Sequence, residues 1–408
     1  MNQSIPRGAR IKLATLDGDL EVGRDAVIEA ENTDITVTGK IECEGDAQFK
    51  GNLKAGRLEA DEGSINIDGS LDITDRLSVD GSLDVSGNAK ARGVVADRSL
   101  RVAHDLQAET VEVGGRMTVG GRTVAQRVDV GGSLECEGPA EIGDVIVGGS
   151  VEIRGEAKIR EVDVGGSVRL AGGEVSGQIE VGGTLQSTGP LNFGEIDVGG
   201  TVALKGMSRG GNIDIGGRAV VDGDLEFKAI DVGGRVEATG SFSGESVEVG
   251  GVLQIGGNLI LSDRLEVGGK IDVRGEVRAR RLEVGGTLEA KLAIVQETAR
   301  IGGLVRTVDG LKAQRIETGR NWEVRGPLIG DLVELNRNAD AEDIYAIELR
   351  MEDGSRARNV YAKRLRIEDN CQISGVIEYT DSVEVGSGLV AKEGMPRKVD
   401  QLPRFPLT

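Results

Sequence analysis

The side chains that could perform chemistry in this sequence are few and far apart. The chain of 408 residues contains one histidine, His104, and three cysteines, Cys43, Cys136 and Cys371. Histidine is the common general base and zinc ligand at neutral pH, and cysteines bind metals or form disulfides when they cluster. One histidine and three cysteines without C-x-x-C spacing favour an exposed structural histidine and buried core thiols. We therefore expect no catalytic residue, no metal site and no cofactor.

Carboxylates are the abundant ionisable groups. The chain has 68 Asp and Glu against 49 Lys and Arg, which gives a formal net charge of −19. Such a chain repels nucleic acid, and no basic stripe with interleaved aromatic residues is present to oppose the repulsion. Acidic pairs occur throughout the repeats, so no single pair stands out as the acid and base of a glycosidase. We expect neither a nucleic-acid partner nor an enzyme.

The acidic residues belong to a repeat. The first glycine of a Gly-Gly pair recurs every 17 residues from Gly114 to Gly250 and, after one inserted residue, from Gly268 to Gly319. Counting from the apolar residue three places before that glycine, apolar residues occupy positions 1 and 3, 7 and 9, and usually 13. When two apolar residues are two positions apart, both side chains lie on the same side of a strand. Spacing of six between pairs predicts three short strands in each repeat.

This repeat predicts an all-β fold, a single-stranded right-handed triangular parallel β-helix, or β-solenoid, with about 17 residues per turn. Handedness follows the preference of parallel crossovers. Because the N-terminal residues are polar and no long apolar run occurs, we expect a soluble, cytoplasmic protein. The predicted organisation is a short N-terminal tail at 1–12, a continuous β-helix at 13–390 with irregular turns at 13–75, regular turns at 76–335 and less regular turns at 336–390, and a proline-containing flexible tail at 391–408.

Position 2 of the repeat is acidic in ten turns and would form a row about 4.8 Å apart along one outer face. This acidic outer face could bind divalent cations or a basic partner. It could equally be a solvated negative surface that discourages side-to-side association. Its predicted members are Glu112, Asp129, Asp163, Glu180, Asp197, Asp214, Asp231, Glu248, Glu266 and Glu283.

The two ends of a solenoid expose strands with unpaired backbone N–H and C=O groups over an apolar cross-section. Either a cap or another molecule must cover them. Recognisable repeats run nearly to both termini, so we expect a second copy of the chain to cover each end. The predicted polymerisation interface consists of inward apolar residues near the ends: Leu16, Leu20, Val22, Val383, Val385 and Leu389.

The V-x-V-G-G-x-[VL] turns and the C-terminal stretch VYAKRLRIEDNCQISGVIEYTDSVEV resemble the bactofilins, which are polymer-forming cytoskeletal proteins. The resemblance covers most of residues 16–390. It implies a right-handed triangular β-helix that polymerises end to end without nucleotide into a filament or scaffold. This repeat array is several times longer than the family core, and no membrane-targeting segment is visible, so membrane association stays open. The alternative is a soluble binding module that acts through the acidic outer face.

Overall fold

The structure, a computed structural model, describes residues 2–321 and 323–404. All regular elements in these ranges are strands, and each strand pairing with a resolved register is parallel. The chain forms a parallel β-solenoid of about 23 turns with about 17 residues per turn, which confirms the predicted fold class. The right-handed coil stays a prediction. Within the described ranges no helix is long and apolar enough to cross a membrane.

The chain divides into two compact units, residues 1–205 and 206–408. The strands of the first unit are β1 (Gln3–Ile5), β2 (Arg10–Leu13), β3 (Thr15–Leu16), β4 (Leu20–Val22), β5 (Ala26–Cys43), β6 (Ala47–Ala60), β7 (Ile65–Ile67), β8 (Leu71–Ile73), β9 (Arg76–Val79), β10 (Ser82–Val85), β11 (Ala89–Lys90), β12 (Gly93–Ala96), β13 (Ser99–Val102), β14 (Leu106–Gln107), β15 (Thr110–Val113), β16 (Arg116–Val119), β17 (Thr123–Val130), β18 (Ser133–Cys136), β19 (Ala140–Val147), β20 (Ser150–Ile153), β21 (Ala157–Val164), β22 (Ser167–Leu170), β23 (Gly173–Val181), β24 (Thr184–Ser187), β25 (Leu191–Val198) and β26 (Thr201–Lys205).

The strands of the second unit are β27 (Ser208–Gly210), β28 (Asn212–Ile215), β29 (Arg218–Asp222), β30 (Leu225–Glu226), β31 (Ala229–Val232), β32 (Arg235–Ala238), β33 (Phe242–Val249), β34 (Val252–Ile255), β35 (Leu259–Val267), β36 (Lys270–Val284), β37 (Thr287–Ile301), β38 (Leu304–Thr318), β39 (Glu323–Arg325), β40 (Leu328–Leu335), β41 (Asp340–Met351), β42 (Arg356–Ile367), β43 (Gln372–Ile373), β44 (Ile377–Val385), β45 (Val390–Ala391) and β46 (Arg397–Lys398).

A regular turn consists of three strands, each of which pairs with the same strand of the next turn. Strands β10, β11 and β12 pair in parallel with β13, β14 and β15. Inward and outward residues alternate along each strand, so Val111 and Val113 are each 1% exposed whereas Glu112 between them is exposed. The repeat therefore supplies every turn with one apolar layer, and layers of successive turns stack on one another to form the core.

Glycine pairs are required by the close approach of successive turns rather than by backbone conformation. Glycines at sharp corners commonly have positive φ, but neither Gly165 nor Gly199 has a φ in that region. A Cβ atom on Gly165 would lie 2.5 Å from the carbonyl oxygen of Gly148 in the preceding turn, and one on Gly199 would lie 2.9 Å from that of Gly182. Only glycine fits between stacked corners at this spacing.

The residue inserted between Gly250 and Gly268 is absorbed at a corner. Strands β33 and β35 pair as Gly244 with Leu261, then shift register, and pair as Ser246 with Arg264. Asp263, in this β-bulge, accepts hydrogen bonds from Arg281 and Arg280, which hold the pKa of its carboxyl below the usual value. After the bulge, Glu248 pairs with Glu266 and the repeat continues in register.

Strand pairing begins earlier in the chain than the sequence indicated. Strand β1 (Gln3–Ile5) pairs with β4 (Leu20–Val22), and β2 pairs with β5. Ile5 is 2% exposed, so this segment packs into the core. The predicted tail at residues 1–12 is wrong, because Gln3–Ile5 and Arg10–Lys12 lie in paired strands of the first turn. Its apolar residues were overlooked because the Pro6–Gly8 corner separates them from the later repeats.

Strand pairing also extends beyond the predicted end of the β-helix at residue 390. Strand β45 (Val390–Ala391) pairs with β43, and β46 (Arg397–Lys398) pairs with the beginning of β44. The segment from 391 therefore continues the coil as far as Lys398, instead of leaving the fold as a flexible tail. Of the prolines assigned to that tail, Pro406 lies outside the described residues.

Replacing Gly165 with alanine should open the solenoid locally, because the added Cβ would strike the backbone of Gly148. We expect a loss of about 1–3 kcal/mol in the opening free energy of that turn. Hydrogen exchange should be faster around Gly165 and unchanged several turns away, since each turn contacts only its neighbours. Gly93→Ala is the matched control, because its nearest atom would be a side-chain oxygen of Thr110 at 3.3 Å. Uniform loss of protection along the chain would contradict this view of independent turns.

Candidate functional site

The three cysteines are buried, whereas the histidine is exposed. Cys43, Cys136 and Cys371 carry free thiols and are 0% exposed, in agreement with the inward positions given by the repeat. Burial raises the pKa of the Cys43 thiol to about 12 and that of Cys136 to about 11. His104 is exposed, and its Nδ1 lies 3.1 Å from the carbonyl oxygen of Ser86. Neither residue type forms a reactive cluster.

Dedicated metal ligation is also not seen in the described part of the chain. No group of three or more His, Cys, Asp or Glu side chains in residues 2–321 and 323–404 is arranged to hold a metal ion. The carboxylates stack along the axis in single rows, and a row gives each ion few converging oxygens.

The acidic outer face forms in-register rows within each unit. In the first unit Asp163 pairs with Glu180, and Glu180 pairs with Asp197. In the second unit the row contains five carboxylates in successive turns, and four of them are exposed. That row is Asp214, Asp231, Glu248, Glu266 and Glu283.

Arginine and isoleucine side chains interrupt these rows. Ile146 lies between Asp129 and Asp163, and Arg300 follows Glu283. Arg264 contacts two members of the second row, with its guanidinium 3.1 Å from Glu248 and 3.0 Å from Glu266. Asp129 and Glu266 are half-buried, whereas the other eight predicted members are exposed. The face is thus acidic on average, and arginine guanidinium groups bridge some of the neighbouring carboxylates.

A groove in the first unit was not predicted from the sequence. This groove of about 1180 Å³ runs along successive turns, and its floor includes Ala91, Ala108 and Ala125. Alanine occupies this inward position in three consecutive turns, and Ile142 and Ile159 occupy it in the next two. This run of small residues is the sequence feature that could have predicted the groove. Charged residues of both signs line the groove, including Arg92 and Glu109, and they give it no preferred ligand charge.

The N-terminal interface residues divide between two turns. Leu20 and Val22 are 0% exposed because β4 is held between β1 on one side and β5 on the other. Their assignment to a polymerisation interface is therefore wrong. Leu16 lies in β3, which belongs to the first turn, and it is half-buried. The outer strands at this end are β1, β2 and β3.

The C-terminal candidates lie in the last complete turn. Val383 and Val385 pair with Leu365 and Ile367 of the preceding turn through β42. Val383 is half-buried and Val385 is 39% exposed. Leu389, just before β45, is half-buried. Within the described residues, no strand pairs with the other edge of 382–385, so this face of the terminal turn is open.

The other two faces of the same turn are covered by the segment that sequence reasoning treated as a tail. Strand β45 covers β43, and β46 covers Glu378 and Tyr379 of β44. Each of these strands has only two residues, and no glycine pair or alternation of apolar residues marks them in the sequence. The structure therefore brings together an open face and two covered faces at one end.

Comparison of the chain with family models, with curated proteins and with solved structures gives no match. The resemblance to bactofilins rests on the repeat and on the C-terminal stretch.

The three thiols should be unreactive in the folded protein. At pH 8 the raised pKa values of Cys43 and Cys136 leave almost no thiolate, and burial of all three side chains blocks the reagent. We expect labelling by iodoacetamide at least about 100-fold slower than for the unfolded chain. Quantitative mass spectrometry with and without denaturant would measure it. Rapid labelling of any one thiol in the folded state would show that this cysteine is accessible and reactive, which would contradict the expectation.

Proposed function

We propose that this chain is a non-catalytic structural protein that assembles end to end through its terminal solenoid turns into a filament or scaffold. The partner is a second copy of the same chain. The main support is the open face at the C-terminal turn, where an inward apolar position lacks the next layer. End-to-end stacking would supply that layer.

The change in burial along one repeat position carries this proposal. Met351, Ile367 and Val385 occupy the same inward position in three successive turns. Their exposures are 1%, 2% and 39%. Unlike Met351 and Ile367, Val385 has no strand stacked beyond it among the described residues. Val390, at the start of β45, is also exposed, at 52%.

Strands at the opposite end provide a second set of edges. Strands β1, β2 and β3 pair on one side only in the described structure, so the outer backbone groups of the first turn remain available. Exposed strand edges are templates for pairing with another chain. A protein that consists of stacked turns gains more turns of the same kind by such pairing.

The acidic outer face supports the alternative, a binding module for a basic partner, less well. Its rows are in register, but Arg264 and Arg300 lie within or beside them and pair with neighbouring carboxylates. The resemblance to bactofilins also favours assembly. We therefore assign the acidic face to keeping neighbouring solenoids apart.

A lysine at position 385 should prevent end-to-end assembly while leaving the fold intact. Stacking a further turn on Val385→Lys would bury an ammonium group without a partner. We expect loss of filaments and end-to-end oligomers in sedimentation velocity and negative-stain electron microscopy, with the β-sheet circular dichroism unchanged. Leu389→Lys should weaken assembly in the same way.

Two charge changes serve as controls for this experiment. Glu384→Lys places the same new charge on the same strand but on its outward side, and Asp197→Lys places it on the acidic face. Both positions stay solvated after stacking, so both variants should assemble like the wild type. Assembly that tolerates Val385→Lys but fails with Asp197→Lys would reject the end-to-end model and favour lateral binding.

A further inference from the structure

We propose that residues 390–404, the C-terminal cap, form a displaceable strap that covers two faces of the terminal turn and restrains end-to-end assembly. This inference rests on the proposed function and concerns the regulation of that same end. Its basis is the pairing of β45 and β46 over β43 and β44, combined with the open face beside them.

The cap hides apolar surface that a stacked copy would otherwise cover. The two underlying faces contain Ile373, which is 0% exposed, and Ile377, which is 3% exposed. Val385 on the third face has no such cover. A second copy can therefore contact one face of the apolar cross-section while the cap is in place, and three faces after it has moved.

A charged residue stands at an inward position of the cap. The register places Lys398 over Tyr379, which lies over Ala362, a residue with 0% exposure. The corresponding position in the body of the solenoid is thus apolar, whereas Lys398 in the last strand is exposed. An inward-pointing charge on an edge strand opposes further stacking, because the next turn would bury it without a partner.

The cap is attached by few interactions. Strand β46 pairs with β44 at two positions, Arg397 with Glu378 and Lys398 with Tyr379. The guanidinium of Arg397 forms an ion pair with Glu378, and the N–H of Val399 donates a hydrogen bond to the carbonyl oxygen of Tyr379 at 2.9 Å. In contrast, β44 pairs with β42 over most of its length. The cap should therefore detach before the turn beneath it opens.

The test weakens the cap in the full-length chain. Arg397→Glu places two carboxylates side by side, and Val399→Pro removes the N–H that bonds to Tyr379. Both variants should assemble at a protein concentration about 3- to 10-fold lower than wild type, as measured by sedimentation velocity. The charge-swapped pair Glu378→Arg with Arg397→Glu should restore the wild-type concentration. Hydrogen exchange at residues 397–399 reports cap opening independently of assembly.

A cross-link provides the opposite perturbation. Cysteines at 378 and 397, which are partners in the parallel pair, are within reach of a disulfide at strand spacing. Oxidised Glu378→Cys/Arg397→Cys protein should assemble less than wild type, and reduction should reverse the effect. The native thiols are buried and should not interfere.

The outcomes separate the cap from the assembly it is meant to restrain. If wild type assembles and Val385→Lys does not, but the cap variants and the cross-link change nothing, the cap proposal is overturned and end-to-end assembly stands. If no variant assembles even when hydrogen exchange shows an open cap, the proposed function fails and the cap proposal fails with it. Assembly of the weakened variants at a lower protein concentration, with the wild-type concentration restored by the charge swap, supports both the cap proposal and the proposed function.

Discussion

Parallel hydrogen bonding between the backbones of successive turns is the constraint on which this protein depends. It fixes the separation of neighbouring turns at about 4.8 Å and places each residue beside its equivalent in the next turn. Gly165 shows how strict this separation is, because even one methyl group there would lie 2.5 Å from a carbonyl oxygen of Gly148. The same spacing stacks the inward residues of successive turns on one another, and most of these residues are apolar. Packing, surface charge and the state of the ends all follow from this geometry.

In-register stacking destabilises the outer face of the solenoid where side chains of the same charge lie next to each other in successive turns. The stack Asp214, Asp231 and Glu248 brings carboxylates together in successive turns. Nearby arginines offset part of the repulsion, as Arg264 does for Glu248 and Glu266. These pairs are exposed, so each contributes little to stability by itself. Their combined effect is a surface that remains acidic yet allows the rows to form.

The sequence was sufficient for the parts of the structure that obey the repeat. Positions 1 and 3 predicted the inward side chains of every regular turn, and position 2 predicted the acidic rows. Prediction failed where the repeat does not specify the environment. Leu20 and Val22 have the apolar spacing expected of an end turn, but Gln3–Ile5 covers them through backbone pairing. The polar side chains of Gln3 and Ser4 gave no indication of this pairing in the sequence. Strand β46 was missed for the same reason, since two charged residues, Arg397 and Lys398, pair through their main chain. The repeat indicated that side chains at the glycine pairs would clash with neighbouring turns, but the distances between the stacked backbones come from the structure.

The bulge at Asp263 has a consequence for what this scaffold can carry. An extra residue enters at a corner, its carboxylate is held by Arg280 and Arg281, and Glu248 and Glu266 resume their pairing immediately afterwards. Corners thus tolerate changes in chain length that the faces do not. A loop grafted at such a corner would project from a rigid support at a defined height along the axis. Loops grafted at the same corner of successive turns would form an array with molecular spacing set by the backbone, which suits the chain to multivalent display.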